Sequence, residues 1–446
     1  LGAENIGLFS YTYAVANYFV LFANLGIKNY GSRTIAMVRN NKEELNRNFS
    51  EILSIHIIFS IIVIFVYLVL LFFFVEDNLV IFLIQSIYVF AAVFDINWFF
   101  FGIEKFKLTV GRNTLVKILS VFLVLVFVKT QTDLWIYALI LALSVFVGQS
   151  VVWFALKQYV SWRRPSWANM KQHIRPLFVL FLPILALSLY KYMDKIMLGS
   201  ISSNVQVGFY ENAEKIINVP MSLIMAFGVV LMPRIANMVT SKDKGEVFKL
   251  IDMSMEAVML LAIAISFGLA GISFVLAPIF FGYEFEECGI LIMGLAVTVP
   301  FMAFANVIRT QYLIPYKEDK IFVVSLFLGA AVNLIVNIIL IPYMAARGAV
   351  IGTIFAEIIV CIYQSYFVRK KIFIKKYLLN TIPPILIGIV MFVFVFQIGN
   401  VMNINIVTLI LQLLVGMFIY AVGVFLLMLK SRTRLMVLLR KFVVRY

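Results

Sequence analysis

Thirteen runs of roughly twenty apolar residues recur along this chain, at about 6–27, 52–74, 79–101, 113–128, 135–155, 176–200, 207–232, 253–281, 289–314, 321–341, 348–368, 378–397 and 405–429. Coiled into a helix, a run of that length spans the ~30 Å hydrocarbon layer of a bilayer. Lipid offers no hydrogen bonds, so each segment must satisfy its own backbone, and runs this long with internal Gly and Pro suit helices and not barrel strands. Hydrophobic residues make up 63% of the 446, which no soluble domain needs. The fold class that follows is all-α, a polytopic membrane protein with 13 transmembrane helices.

The charges are sorted between the loops. Of 37 Lys and Arg, thirty fall in the alternate segments 28–51, 102–112, 156–175, 233–252, 315–320, 369–376 and 430–446. The intervening loops hold Lys129 and Arg347 and otherwise acids, among them Glu76, Asp77, Asp133, Glu284, Glu286 and Glu287. This positive-inside pattern predicts a cytoplasmic C-terminus and an outside Leu1. The net charge of +15 is therefore topology and not a nucleic-acid footprint. Cys288, Cys361, His56 and His173 stand apart without metal-ligand spacing, no nucleotide-binding loop is present, and no cofactor or metal is expected.

An offset of 201 residues aligns Gly7-Leu8-Phe9 with Gly208-Phe209-Tyr210, Arg33 with Arg234, and Met37 with Met238. Both copies run in the same direction across the membrane, which predicts parallel lobes and not inverted ones. The span at 176–200 lacks a partner in the first copy, so 14 helices are expected in the intact protein. They would form two six-helix lobes and a C-terminal pair. The expected organisation is an N-lobe over 1–155, an interlobe linker at 156–175 and a C-lobe over 176–368. A helix pair with a basic tail then covers 369–446.

The stretch Pro176–Asn237 carries the most informative departures from apolarity. Lys191, Asp194 and Lys195 share one helix face, and Glu211, Glu214 and Lys215 repeat the spacing. A charge inside a spanning helix costs roughly 2.5–3.5 kcal/mol on insertion scales, so it faces partners or water. Five cations remain once the loops are set aside: Lys117, Lys191, Lys195, Lys215 and Arg309. Two readings stay open, interfacial side chains reaching out to water, or a wet pathway for an anionic solute. Asp95, Asp194, Glu211, Glu214 and Glu357 are candidates for ion pairing or for ion coupling, with Asp95 a partner for Lys117. Asn333 and Asn337 share a face suited to interhelical hydrogen bonds. Tyr190, Tyr192 and Tyr210 suit sugar stacking or interface anchoring, and Pro183, Pro220, Pro233 and Pro300 suit helix kinks.

Several motifs carry a family resemblance: LGAENIGLFSY at the start, DINWFFFGIEKFK at 95–107, YKYMDKIMLG with VGFYENAEKI across 190–216, and QYLIPYKEDK at 311–320 with AAVNLIVNIILIP at 330–342. Together they resemble the Wzx-type flippases of lipid-linked oligosaccharide repeat units, in the multidrug/oligosaccharidyl-lipid/polysaccharide (MOP) exporter superfamily. The resemblance implies two six-helix bundles around a central cavity and export of undecaprenyl-pyrophosphate-linked oligosaccharide (O-antigen, capsule or other surface polysaccharide) by alternating access. It places the chain in a bacterial inner membrane beside polysaccharide polymerase and chain-length proteins. The chain departs from the family at YMAARG after Pro342, and at Phe101, where Gln is frequent. On this reading the five cations hold the pyrophosphate and no residue is catalytic. The alternatives are an ion-coupled multidrug or small-molecule exporter of the same fold, whose pathway would favour acids, and a membrane polysaccharide polymerase or ligase, which would need a larger outer loop.

Overall fold

Each apolar run becomes helical, those at 79–101 and 289–314 as successive helices with a break between them. The computed structural model describes residues 1–240, 244–430 and 435–436, apart from the side chains of Tyr190, Thr240 and Lys244. Beyond Lys430 and residues 435–436, the expected basic tail lies outside them. Twelve helices among the described residues are long and apolar enough to cross a membrane. The count is one below the thirteen runs because 321–341 and 348–368 join into a single 50-residue element, Asp319–Val368, folded at Ala345 (φ 48°, ψ −127°). Divided there, it yields the two expected spans.

By its contacts the chain divides into two compact units, Leu1–Gly199 and Ser200 onward. The first holds α1 (Gly2–Asn24), α2 (Ile27–Val38), α3 (Lys42–Phe74), α4 (Leu79–Val93), α5 (Asn97–Gly102), α6 (Phe106–Phe127), α7 (Leu134–Leu156) and α8 (Trp167–Ile201). Residues 161–166, within the expected linker, are non-helical. Residues 167–175 are already helical, and α8 packs within the first unit. The reason is close backbone contact and buried polar bonding. Gly26, at φ 73°, brings the α1–α2 turn so near that a Cβ there would stand 2.8 Å from the Leu177 carbonyl oxygen.

The core at the basic-loop end of this unit is aromatic. Phe49 of α3 stacks on Trp98 at 5.6 Å and meets Phe99 edge-on at 4.9 Å. The aromatics of the DINWFFFG motif thus pack the fold, with Trp98, Phe99 and Phe100 buried. A second cluster, Ala16, Tyr67, Leu71, Phe82 and Val89, joins α1, α3 and α4. Outward faces are apolar too, as Phe72 and Phe154 (both 83% exposed) illustrate. Lipid is the solvent that accommodates such rings.

The second unit holds α9 (Asn204–Thr240), α10 (Lys244–Phe281), α11 (Cys288–Ala296), α12 (Thr298–Ile308), α13 (Asp319–Val368), α14 (Ile374–Val401) and α15 (Ile406–Lys430). The break between α11 and α12 falls just ahead of Pro300, whose ring would crowd the Ala296 carbonyl. Pro183, Pro220 and Pro233 instead lie inside continuous helices. The C-terminal pair α14 and α15 packs on α10 through Ile272, Val275, Met391, Val395 and Leu409, and the Gln412 amide donates to the Val395 carbonyl at 2.8 Å.

The two halves of α13 fold back on one another through small residues. A Cβ on Gly348 would lie 2.7 Å from the Leu340 backbone, and one on Gly352 would lie 2.1 Å from Asn337 Oδ1. Such approach is a recurrent route to tight helix association in membranes. Gly352→Val is therefore expected to destabilise the protein by about 1–3 kcal/mol. Gly111→Ala, where no atom lies within 4 Å of the added carbon, is expected to leave it unchanged. Thermal unfolding in detergent compares the two.

Candidate functional site

Near the end of α8 remote from the basic loops, four residues predicted from the sequence come together with α1. Asp194 and Lys195 are 4% and 7% exposed, so two charges are held inside the protein. Lys191 is exposed, with its Nζ 5.2 Å from the centroid of the Tyr192 ring. Tyr18 of α1 meets the Tyr192 ring edge-on at 6.0 Å and donates to the Ser188 carbonyl at 3.4 Å. Tyr18 lies within electrostatic reach of Asp194, and Tyr13 within reach of Lys191 and Lys195. Charge buried among phenols is a polar island in an apolar wall. The Tyr190 side chain lies outside the described residues.

The second unit holds a different set. Lys215 and Glu211 form an i, i+4 ion pair at 3.2 Å, with the Lys side chain 54% exposed and the Glu side chain 15%. Glu214 is half-buried beside them in sequence. Arg309 opens a π-helical turn, Arg309–Leu313, a local widening that proteins often place at functional positions. Its Nη2 donates to Asn306 Oδ1 at 2.6 Å, its guanidinium stands 5.4 Å from the Phe322 ring, and buried Glu357 is within electrostatic reach. Asn337 Nδ2 donates to Asn333 Oδ1 at 3.1 Å, so these two amides bond to each other. Tyr210 is 2% exposed with its hydroxyl 2.9 Å from that of Thr353, which leaves no open face for sugar stacking.

Asp95 finds partners other than the expected Lys117. Its Oδ1 accepts from Asn97 N at 3.0 Å and from Asn97 Nδ2 at 2.6 Å. Arg112 is the neighbouring cation, donating to Asn97 Oδ1 at 3.1 Å and to the Gly148 carbonyl at 2.6 Å. Lys117, five residues along α6, is exposed. Arg112 counts among the basic charges of 102–112 and follows the DINWFFFGIEKFK motif by five residues.

A further buried group joins residues far apart in sequence. His173 of α8 is 3% exposed and Glu51 of α3 is 1% exposed, with His173 Nε2 and Glu51 Oε2 2.9 Å apart. Asn169 Nδ2 donates to the other carboxylate oxygen at 3.1 Å, and the Tyr30 hydroxyl of α2 lies 2.6 Å from His173 Nδ1. Three helices are thus tied by one buried network. Against it lies a cavity of about 750 Å³ whose lining includes Arg33, Arg47 and Arg175. Each of these residues sits in a basic segment and reads in isolation as a surface charge.

Residues 1–239 match the family described as "Polysaccharide biosynthesis protein". The chain belongs to that family. A Shigella dysenteriae protein assigned as an O-antigen transporter is 25% identical over 357 residues, which cover 76% of this chain and 86% of the relative. Among solved structures, the lipid II flippase MurJ in an inward closed conformation superposes with a TM-score of 0.73 at 16% identity, covering 95% of this chain and 92% of MurJ. An inward-facing multidrug transporter of the MATE family, in the MOP superfamily, superposes with a TM-score of 0.64 at 14% identity, over 83% of this chain and 91% of that one. The fold is that of the MOP exporters, and the chain is a multi-pass membrane protein of polysaccharide biosynthesis.

The Glu51 network generates a stability test. Glu51→Ala removes the acceptor of both His173 and Asn169 and leaves the buried His173 Nε2 without its partner. The expected loss is ~1–3 kcal/mol, seen as a lower Tm in detergent. Glu51→Gln keeps one carbonyl acceptor and is expected to lose less.

Proposed function

We propose that this chain is a flippase that carries undecaprenyl-pyrophosphate-linked oligosaccharide units from the inner to the outer leaflet of a bacterial cytoplasmic membrane by alternating access. The observation that carries the reading is the family match over 1–239, a segment that includes the charged end of α8. The likeness to a relative assigned as an O-antigen transporter supports the cargo class. The sorting of basic loops supports a cytoplasmic C-terminus. Lys191, Lys195, Lys215, Arg309 and Lys117 are the cations offered to the pyrophosphate. In a low-dielectric surrounding a lipid pyrophosphate needs such fixed charge to offset its desolvation. Asp194, Glu211, Glu214, Glu357 and Asp95 hold those cations in place or couple their charge to an ion. The chain carries cargo without altering its bonds, and a polymerase would act on what it delivers.

The second reading, a multidrug exporter, draws on the fold shared with the MATE transporter. Depletion of the protein separates the two. A flippase leaves lipid-linked oligosaccharide accumulating on the inner leaflet. A drug exporter instead leaves that pool unchanged and raises sensitivity to cationic compounds.

Residue roles follow from export assays at constant membrane level of the protein. Lys191→Ala, Lys195→Ala, Lys215→Ala and Arg309→Ala are each expected to lower export tenfold or more, the equivalent of ~1.4 kcal/mol or above. Arg309→Lys keeps the charge but loses the fork that reaches Asn306, and is expected to retain only part of the activity. Full recovery of transport in the double variant Lys191→Ala with Asp194→Ala would make Lys191 a structural partner and remove it from the pathway.

A further inference from the structure

We propose that the cavity between α2, α3 and α8 binds the phosphate-bearing headgroup of a lipid, with Arg33, Arg47 and Arg175 as its ligands. Three guanidiniums and one carboxylate, Glu44, line a space of about 750 Å³. Among the described residues none of the three arginines forms an ion pair or side-chain hydrogen bond, whereas Arg39, Arg163 and Arg347 all find carboxylates. Three like charges around one hollow repel, and an anion seated among them reverses the sign of that interaction. The planar fork of arginine matches phosphate oxygens two at a time.

The apolar part of the lining sets the class of anion. Pro176, Val179 and Leu180 continue α8 from Arg175 as an apolar strip, and Val179 is 58% exposed. A soluble phosphate gains nothing from that strip. A headgroup with a hydrocarbon chain uses both halves, its charge on the arginines and its chain along α8.

The helices that carry the three arginines are tied to one another. Tyr30 stands one helical turn before Arg33, Arg47 one turn before Glu51, and His173 two residues before Arg175. The hydrogen bonds of 2.6 Å and 2.9 Å that join Tyr30, His173 and Glu51 therefore clamp the three helices beside the arginines they carry. The backbone that carries the arginines is thereby fixed, while their exposed side chains stay free to meet an anion. The set is separate from the cations named above, because Arg175 and Lys191 are 16 residues apart on α8, about 24 Å along its axis. Binding here does not depend on whether the chain exports a cargo, so this proposal and the flippase reading fail separately.

The test uses the full chain in phosphatidylcholine nanodiscs with three probes: inorganic pyrophosphate, a polyprenyl diphosphate and phosphatidylglycerol. Lipid probes are expected to bind, with inorganic pyrophosphate at least tenfold weaker for want of a chain. Each single Arg→Ala change at 33, 47 or 175 is expected to weaken lipid binding about tenfold, as the loss of one charge-assisted hydrogen bond would. Val179→Asp is expected to weaken both lipids while leaving pyrophosphate less affected. Preference for the polyprenyl diphosphate assigns the headgroup to a carrier lipid, and equal affinity for phosphatidylglycerol assigns it to the bilayer. Lipid binding unchanged in the folded triple variant Arg33→Ala, Arg47→Ala and Arg175→Ala, or pyrophosphate binding as tightly as lipid, overturns the proposal.

Discussion

A polar group buried in an apolar helical bundle has to find its partner inside the bundle, because neither lipid nor a packed core will supply one. Glu51 and His173 show what that demand does to a structure. Each is nearly inaccessible, and the bond between them, extended by Asn169 and Tyr30, fixes α8 against α2 and α3. Helices in lipid gain little from burying apolar faces, since the surrounding tails are equally apolar. Specific polar bonds and close small-residue contacts therefore decide which helix sits beside which. The division of the chain at Gly199/Ser200 follows from such contacts along α8, from Gly26 against Leu177 to Gly199 against Tyr11.

The helical fold was legible because hydrophobic length is a one-dimensional property. All thirteen runs reappear, and the fusion of two of them into α13 is a matter of Ala345 adopting a backbone angle that no periodicity announces. The unit boundary was less legible. Trp162, Arg163, Arg164 and Pro165 look like a linker and do lie in a non-helical segment, but ownership of the next helix is a question of three-dimensional contact. The DINWFFFG motif illustrates a different difficulty. Its aromatics advertise importance, and in the fold that importance is packing, while its polar members Asp95 and Asn97 join Arg112 and Gln149 in a hydrogen-bonded network.

For the candidate site, charges stranded within apolar runs were visible and charges within loops were not. Lys195, Asp194, Arg309 and Glu357 stand out because their neighbours in sequence are hydrophobic. Arg47 and Arg175 fall within the positive-inside pattern, which explains a basic residue so readily that it conceals any second role. His173 and Glu51 were equally hidden, being 122 residues apart and unremarkable alone. Only the folding of α3 against α8 makes them a pair.

The distribution of charge along α8 also bears on how an anion would travel. Arg175 marks one end, Lys191 and Lys195 the other, and between Leu177 and Tyr190 the helix carries no charged residue at all. That uncharged stretch is fourteen residues, about 21 Å, a large part of the ~30 Å hydrocarbon layer. A pyrophosphate sliding along α8 would spend that distance without a counter-charge from this helix, at a cost in low dielectric that snorkelling cannot relieve midway. Fixed cations at both ends with a neutral middle suit a different motion. Under the proposed function, the anion would stay with one group of charges while the protein changes which side that group faces, so that the barrier would be a rearrangement of helices instead of a bare charge in oil. On the proposed flippase reading, the absence of charge along the middle of α8 weighs for alternating access as much as the charges at its two ends do.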